Sequence, residues 1–449
     1  MKIKKVKWRN HIILGNLEID FFNSTTGEPY ETIVFAGENG TGKTTILETI
    51  STFLNLGSFE HFDFIEYILN KNVFKAIPTS DGTTHPNFFD VYDNNGAVQK
   101  IRTDKSNNFQ GIEGSAIDLR KNGCIFSKAR ADYKTQQIMS TTTKQLDADK
   151  YDNDKEDDFT SLKQLLVDIQ NQDNSVYVEL NRGLGENPKS WAEYYPSSKI
   201  FRFKNAFDNF FDKITYEKVE DIANEKAILF NKNGKTISID RLSTGEKQIV
   251  FRGSFLLKNN KRLDGAAIMI DEPELSMHPK WQTNILKYYK DLFTENSQQK
   301  AQIFLATHSE YVLKEALMER TKNLVIVLNE NGGSISMKKI DAPSVLPSIT
   351  SAETNYLAFD VVSNDYHIEL YGYLQNKESK NTVKSCDDFI QLNNNYNPAI
   401  HRKPSSFGAT YYETLCTYIR NAIDHPDPTK NFTEEELRTS IKLLIELCR

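Results

Sequence analysis

The chain has 449 residues, 39% of them hydrophobic, and a formal net charge of −6, which allows one large domain plus a smaller one and excludes a generally basic nucleic-acid binder. Any contact with DNA or RNA would need a local patch, and apolar runs of about six residues fall far short of the roughly 20 that span a bilayer. The four cysteines, Cys124, Cys386, Cys416 and Cys448, lie far apart without a C-x-x-C pair or zinc spacing with histidine, as expected of reduced thiols.

The basic start Lys2 to Arg9 leads only into His11-Ile12-Ile13-Leu14-Gly15, shorter than a signal-peptide core of about 7–15 residues. A cytoplasmic protein without a membrane partner is expected. Val6-Lys7-Trp8-Arg9 and Leu17-Glu18-Ile19-Asp20-Phe21 alternate in polarity and predict a two-strand lead-in. Thr32-Ile33-Val34-Phe35-Ala36 predicts a buried strand, and Thr45 to Ile50 a helix start. Between them runs Gly37-Glu38-Asn39-Gly40-Thr41-Gly42-Lys43-Thr44-Thr45, which fits G-x-x-x-x-G-K-[ST]. Glycines let successive N–H groups turn toward phosphate oxygens at a helix N-terminus. Lys43 is expected on the β- and γ-phosphates and Thr44 on Mg²⁺, so the cofactors expected are ATP and Mg²⁺.

The following interval of roughly 200 residues lacks a sustained heptad pattern, which argues against a long coiled-coil arm. It includes Asp93-Asn94-Asn95-Gly96 and an acidic stretch from Asp147 to Asp158, expected as a solvated loop. Leu242-Ser243-Thr244-Gly245-Glu246-Lys247-Gln248 then opens a helical run, where Ser243 and Glu246 also fit a capping box. Lys258-Asn259-Asn260-Lys261-Arg262 is a basic stretch read as a solvated loop. Ala266 to Ile270 is an apolar strand ending in Asp271 and Glu272. Asp271 suits the outer magnesium shell, and Glu272 is placed to polarise an attacking water. Ile303 to Thr307 is another apolar strand, ending in His308, a residue that could sense the γ-phosphate. After Leu324 to Leu328, the segment Ala342 to Ser348 has linker composition.

With Ser243-Thr244-Gly245-Glu246 the chain resembles ATPases of the ABC class. That resemblance implies a signature loop reaching the ATP held by another subunit, hence a homo-oligomer of at least two copies. Asp271 to Pro279 resembles the version found in soluble chromosome-maintenance, recombination and phage-defence ATPases, with His278 and Pro279 in the loop facing the opposite subunit. The class also implies a magnesium-contacting glutamine, for which Thr135-Gln136-Gln137 offers Gln136 or its neighbour. The expected fold is α/β, an ABC-type P-loop ATPase head over residues 1–345 with a helical or irregular insertion at about 60–225. A small helical domain, partner-binding or HEPN-like, is expected over 346–449.

In that tail, Arg420 and His425 fit the R-x4-H arrangement and resemble the motif of HEPN ribonucleases, with Arg420 on a phosphate and His425 moving a proton. On an ideal helix, however, the two side chains lie about 140° apart, and Pro426 puts His425 at the helix end. Taken whole, the chain resembles the PtuA-type ATPases of Septu anti-phage systems, also found in some retrons. The resemblance rests on Asn10-His11 with Leu14 to Leu17, the four ATPase motifs, His367 to Leu374, and Tyr418 to Asn421 with His425-Pro426. It implies an ATP-responsive assembly that restrains or releases a separate, PtuB-like HNH nuclease, and in a retron setting a reverse transcriptase with its msDNA. An ATP-gated ribonuclease and a DNA-repair or chromosome-structure ATPase are the alternatives.

Overall fold

The computed structural model describes residues 1–80, 85–102, 116–129, 152–153, 159–183, 188–222, 225–257, 264–295, 297–340, 342–404 and 412–449. Its chain begins with β1 (Lys2–Trp8) and β2 (Glu18–Asp20), paired antiparallel with Lys5 opposite Asp20. β3 (Thr32–Gly37) is buried at every position, the pattern of a strand covered on both faces. α1 (Lys43–Leu54) starts two residues before the expected Thr45, because Gly42 at φ 88° serves as its N-cap.

The region after α1 departs from expectation. The first part of the insertion expected to be helical or irregular over about 60–225 is a sheet instead: β4 (Phe62–Leu69), β5 (Asn72–Pro78), β6 (Phe89–Asp93) and β7 (Val98–Ile101) form an antiparallel meander. They join the lead-in as one six-stranded sheet in the order β2-β1-β4-β5-β6-β7. The cause is a one-sided apolar pattern, with Ile65, Tyr67, Phe74, Ala76, Phe89 and Val91 all buried. The β4–β5 turn holds Asn70 and Lys71 at φ 50° and 67°, the twist a two-residue hairpin needs. Lysine is not a residue that announces such a turn.

β8 (Cys124–Ser127) is followed by the long α2 (Phe159–Gly183), α3 (Lys199–Phe210) and a second antiparallel sheet of β9 (Ile214–Ile222), β10 (Glu225–Lys232) and β11 (Lys235–Ser238). α4 (Thr244–Leu257), β12 (Ala267–Asp271), α5 (Ile285–Leu292), β13 (Gln302–Ala306), α6 (Glu310–Met318), β14 (Asn323–Asn331) and β15 (Ser334–Ile340) complete this part. The central sheet runs Asp152–Asn153, β8, β12, β13, β3, β14, β15. From β8 to β14 every pairing is parallel. The register sets Asp271 opposite Ala306 and Ala306 opposite Phe35, so three strands end side by side, where ligands bind in open α/β sheets.

α1 joins the two layers. Its Ile46, Ile50 and Phe53 share one core with Phe35, Met269, Phe304 and Ile326 of the central sheet and with Val6, Ile65 and Val91 of the antiparallel one. Phe53 lies 5.1, 5.6 and 5.4 Å from the ring centroids of Phe59, Phe62 and Phe89. Arg120, fully buried, pairs with Asp118 at 2.9 Å and lies 4.7 Å over the Phe89 ring, a stacked guanidinium whose charge is matched locally.

The chain divides into two units, Met1–Lys339 and Ile340–Arg449. In the second, the segment read as a linker is ordered into the fold: Leu346 is buried and the Ser344 N–H donates to Glu353 at 2.6 Å. The longer helices that follow are α7 (Ser351–Phe359), α8 (Asn364–Lys377), α9 (Val383–Leu392), α10 (Leu415–Asp424) and α11 (Glu434–Cys448), around Tyr366, Leu370, Ile419, Ile441 and Leu444, with the one-turn helix Pro398–His401 between α9 and α10. α10 begins at Leu415 because Thr414 caps it, its hydroxyl accepting the Thr417 N–H at 3.2 Å. His367 is sealed in this core with Nε2 2.8 Å from Ser440 Oγ, and burial pushes it down to about 3. Among the described residues no helix is long and apolar enough to cross a membrane.

Phe53→Ala would leave a cavity among three aromatic rings. Urea unfolding of the first unit should show a loss of about 3–5 kcal/mol, and a loss below about 1 kcal/mol would contradict this packing.

Candidate functional site

β3 passes directly into the loop from Gly37 to Gly42, whose glycines at 37, 40 and 42 adopt φ of 132°, 84° and 88°. Two of them also lack room for a side chain. A Cβ on Gly37 would stand 2.3 Å from the Leu328 carbonyl oxygen, and one on Gly42 2.6 Å from Leu14 Cδ2. Thr41 Oγ1 donates to the Glu38 carbonyl at 2.8 Å and closes the turn. Lys43 Nζ donates to the carbonyls of Gly37 at 2.9 Å and Glu38 at 2.7 Å. Burial lowers this ammonium to about 8, against the nearby charges of Glu272, Asp271 and Glu274. Gly42 offers no side chain to cap α1, so the loop presents backbone N–H groups and a cation together, the chemistry of a phosphate cradle.

At the end of β12 the Thr44 hydroxyl donates to both Asp271 carboxylate oxygens, at 3.2 and 3.1 Å. Asp271 is only 6% exposed. Burial, seconded by the negative charge of Glu272, raises it to about 6, while the Thr44 bond works in the opposite direction. A hydroxyl beside a carboxylate that is costly to keep charged is a hard-oxygen donor set and fits Mg²⁺.

Glu272 sits in the left-handed region at φ 42°, a conformation costing on the order of 1–3 kcal/mol that its surroundings must impose. Its N–H donates to the Ala306 carbonyl at 2.9 Å, and its carbonyl accepts from Arg252 Nη1 at 3.1 Å. Arg252 Nη2 also donates to the Asp271 carbonyl at 2.6 Å. His308 Nε2 stands 3.7 Å from Glu272 Oε1. Burial, with Lys43 nearby, lowers this imidazole, and Glu272 opposes the shift, so the surroundings on balance favour the uncharged ring. Lys43, Thr44, Asp271, Glu272 and His308, drawn from three separate motifs, thus form one cluster.

The Ser243 to Glu246 segment serves two purposes. Ser243 and Thr244 are exposed. The Ser243 N–H donates to Glu246 Oε2 at 2.8 Å and the Glu246 N–H to Ser243 Oγ at 3.4 Å, a capping box. The Glu246 carboxylate is buried and pairs with Lys232 at 2.8 Å, so of the four expected cross-subunit contacts its side chain is committed within the chain. Gly245 fits closely on the loop after Glu272, where a Cβ would meet the Ser276 carbonyl oxygen at 3.1 Å and the Trp281 ring at 3.2 Å. His278 Nδ1 accepts the Lys280 N–H at 3.1 Å and caps the short helix Pro279–Gln282.

Gln136 and Gln137, the acidic stretch apart from 152–153, and Lys258 to Arg262 lie outside the described residues. In the second unit Arg420 is engaged by Asp424 at 2.6 Å and Asn421 at 3.0 Å, while His425 is exposed just past the end of α10. Arg252, Glu274 and Leu14 were not singled out for the roles they take. Only Glu274 had a local signal, as the third acid of Asp-Glu-Pro-Glu.

Because the folded chain holds a proton on Asp271 between about pH 4 and 6 that the unfolded chain has released, stability without nucleotide falls as pH rises through that window. The deficit above it is about 2–3 kcal/mol. Asp271→Asn should therefore raise the Tm of the nucleotide-free protein at pH 8 and leave it nearly unchanged at pH 4. Equal shifts at both pH values would contradict the assignment.

Parts of the chain are similar to known proteins. A 108-residue stretch is 33% identical to "Retron Vc95 probable ATPase" of Vibrio cholerae serotype O1 biovar El Tor, covering 22% of this chain and 19% of that protein. A 159-residue stretch is 30% identical to "Retron Ec83 probable ATPase" of Escherichia coli, covering 33% of this chain and 26% of that protein. The chain thus spans about a fifth to a quarter of the length of these curated relatives. Remote structural likeness extends to an SMC head bound to the C-winged helix domain of ScpA, at 12% identity over 76% of this chain and 98% of that one, TM-score 0.42. It extends also to the SMC head domain from Thermotoga maritima, at 13% identity over 76% of this chain and 100% of that one, TM-score 0.40. Residues 33–314, which carry every member of the cluster, match the family described as "AAA domain, putative AbiEii toxin, Type IV TA system", and the chain belongs to that family of ATPase domains.

Proposed function

We propose that this chain is an ATP-binding and ATP-hydrolysing regulatory subunit of an anti-phage defence complex, of the ABC class, working as at least a dimer and controlling a partner HNH nuclease. The observation that carries the ATPase reading is the convergence of the Lys43 loop, the Thr44–Asp271 pair, Glu272 and His308 on three adjacent parallel strand ends. Lys43 and the loop N–H groups hold the phosphates, and Thr44 and Asp271 would hold Mg²⁺, which would neutralise phosphate charge. Glu272 takes the proton of the attacking water, and His308 beside it contacts the terminal phosphate. The exposed Ser243 and Thr244 face outward to the nucleotide of a second copy.

The defence role draws support from the resemblance to PtuA-type ATPases, in which cutting belongs to a separate nuclease and which are also found in some retrons, as the names of the two curated relatives, both retron ATPases, would fit. Co-purification of the tagged chain with its genomic neighbours, with and without ATP, tests it. Recovery of an HNH protein whose cutting responds to ATP is expected. A chain that emerges alone and degrades RNA would contradict it and return attention to Arg420 and His425.

Glu272→Gln should lower ATP turnover by about 100-fold or more, the range for losing a general base, with ATP affinity retained. Wild-type turnover in that variant would place the base elsewhere. Ser243→Arg should abolish turnover without weakening ATP binding to the single chain, whereas normal turnover by an intact oligomer would remove the shared-site model.

A further inference from the structure

The segment that starts at Glu272 and passes His278 is tied to the strand end carrying His308 by side-chain bonds that the reaction scheme above does not use. Glu274 Oε1 accepts both the Thr307 hydroxyl at 2.8 Å and the His308 N–H at 2.7 Å. Its second oxygen, Oε2, is shut off from solvent and has no hydrogen-bond partner among the described residues. Thr307 Oγ1 in turn accepts the Ser309 N–H at 2.9 Å. Farther along, Gln282 Oε1 accepts the Ser309 hydroxyl at 2.6 Å, while Gln282 Nε2 donates to the Met277 carbonyl at 3.1 Å. Residues 307, 308 and 309 are therefore each held from the same segment.

We infer that Glu274 is a positioning residue for ATP hydrolysis: by clamping the His308 backbone to the Glu272 turn, it sets the spacing between the imidazole and the carboxylate. This inference rests on the ATPase reading of the site. The two groups follow different strands, 3.7 Å apart, and Glu272 is held in a left-handed conformation by bonds to its backbone. A displacement of about 1 Å in such a pair costs on the order of 100-fold in rate. The clamp uses one acceptor oxygen, which a glutamine amide also provides. Burial raises the Glu274 carboxyl above the usual carboxylate range, consistent with a role that depends on the acceptor rather than on charge. Truncation leaves the Thr307 hydroxyl and the His308 N–H without their acceptor.

The test is steady-state ATP hydrolysis by the full chain, with ATP affinity and Tm measured on the same samples. Glu274→Ala should lower kcat by at least tenfold with ATP affinity within about twofold of wild type, and Glu274→Gln should recover most of the loss. Thr307→Val, which at nearly constant volume removes the hydroxyl bond to Glu274 and with it the acceptor of the Ser309 N–H, should give an intermediate kcat. If Glu274→Ala does not fold, Thr307→Val decides, because unchanged kcat there contradicts the clamp. A folded, fully active Glu274→Ala, or a glutamine variant as impaired as the alanine one, overturns the clamp alone. A wild-type chain that binds ATP without hydrolysing it overturns the ATPase reading and the clamp with it.

Discussion

Everything at the candidate site depends on the register of three parallel strands. β12, β13 and β3 pair so that Asp271, Ala306 and Phe35 stand in line, and each strand then releases its functional segment at the same edge of the sheet. A slip of one residue in any pairing would exchange the faces on which the side chains lie. The register is secured by burial on both faces, since β3, β12 and β13 are buried at every position. Hydrophobic burial thus does the positioning, and the polar groups at the strand ends are carried into place by it.

The energetics of the cluster point toward a ligand with both negative phosphates and a cation. Lys43 is an ammonium made less stable by burial, and Asp271 is a carboxylate made less stable by burial. Neither is relieved by pairing directly with the other: Lys43 donates to loop carbonyls and Asp271 accepts from Thr44. Phosphate oxygens at the first and a divalent cation at the second would recover both costs, so binding should stabilise the fold by mass action. The strained Glu272 backbone adds a further cost that Arg252 and Ala306 hold in place.

Much of this was legible in the sequence where the chemistry is local. The loop from Gly37 to Thr45 announces itself because glycine, lysine and threonine each answer a backbone or charge requirement within nine positions. Asp271, Glu272 and His308 were legible because an apolar run that stops at a polar residue marks a buried strand meeting solvent. What strand order decides was not legible. Arg252 and Glu274 acquire their partners only when α4, β12 and β13 are adjacent, and nothing in the residues around Arg252 signals it. The meander from β4 to β7 was hidden because its tightest turn, Asn70-Lys71, lacks glycine. Glu246 could not be assigned between capping and reaching outward until its pairing with Lys232 was seen.

The central claim is that these strand ends cleave ATP, and the most direct measurement is phosphate release from ATP by the purified full chain with and without Mg²⁺. The account predicts turnover that requires Mg²⁺. ATP binding with no phosphate release in the presence of Mg²⁺ would contradict it.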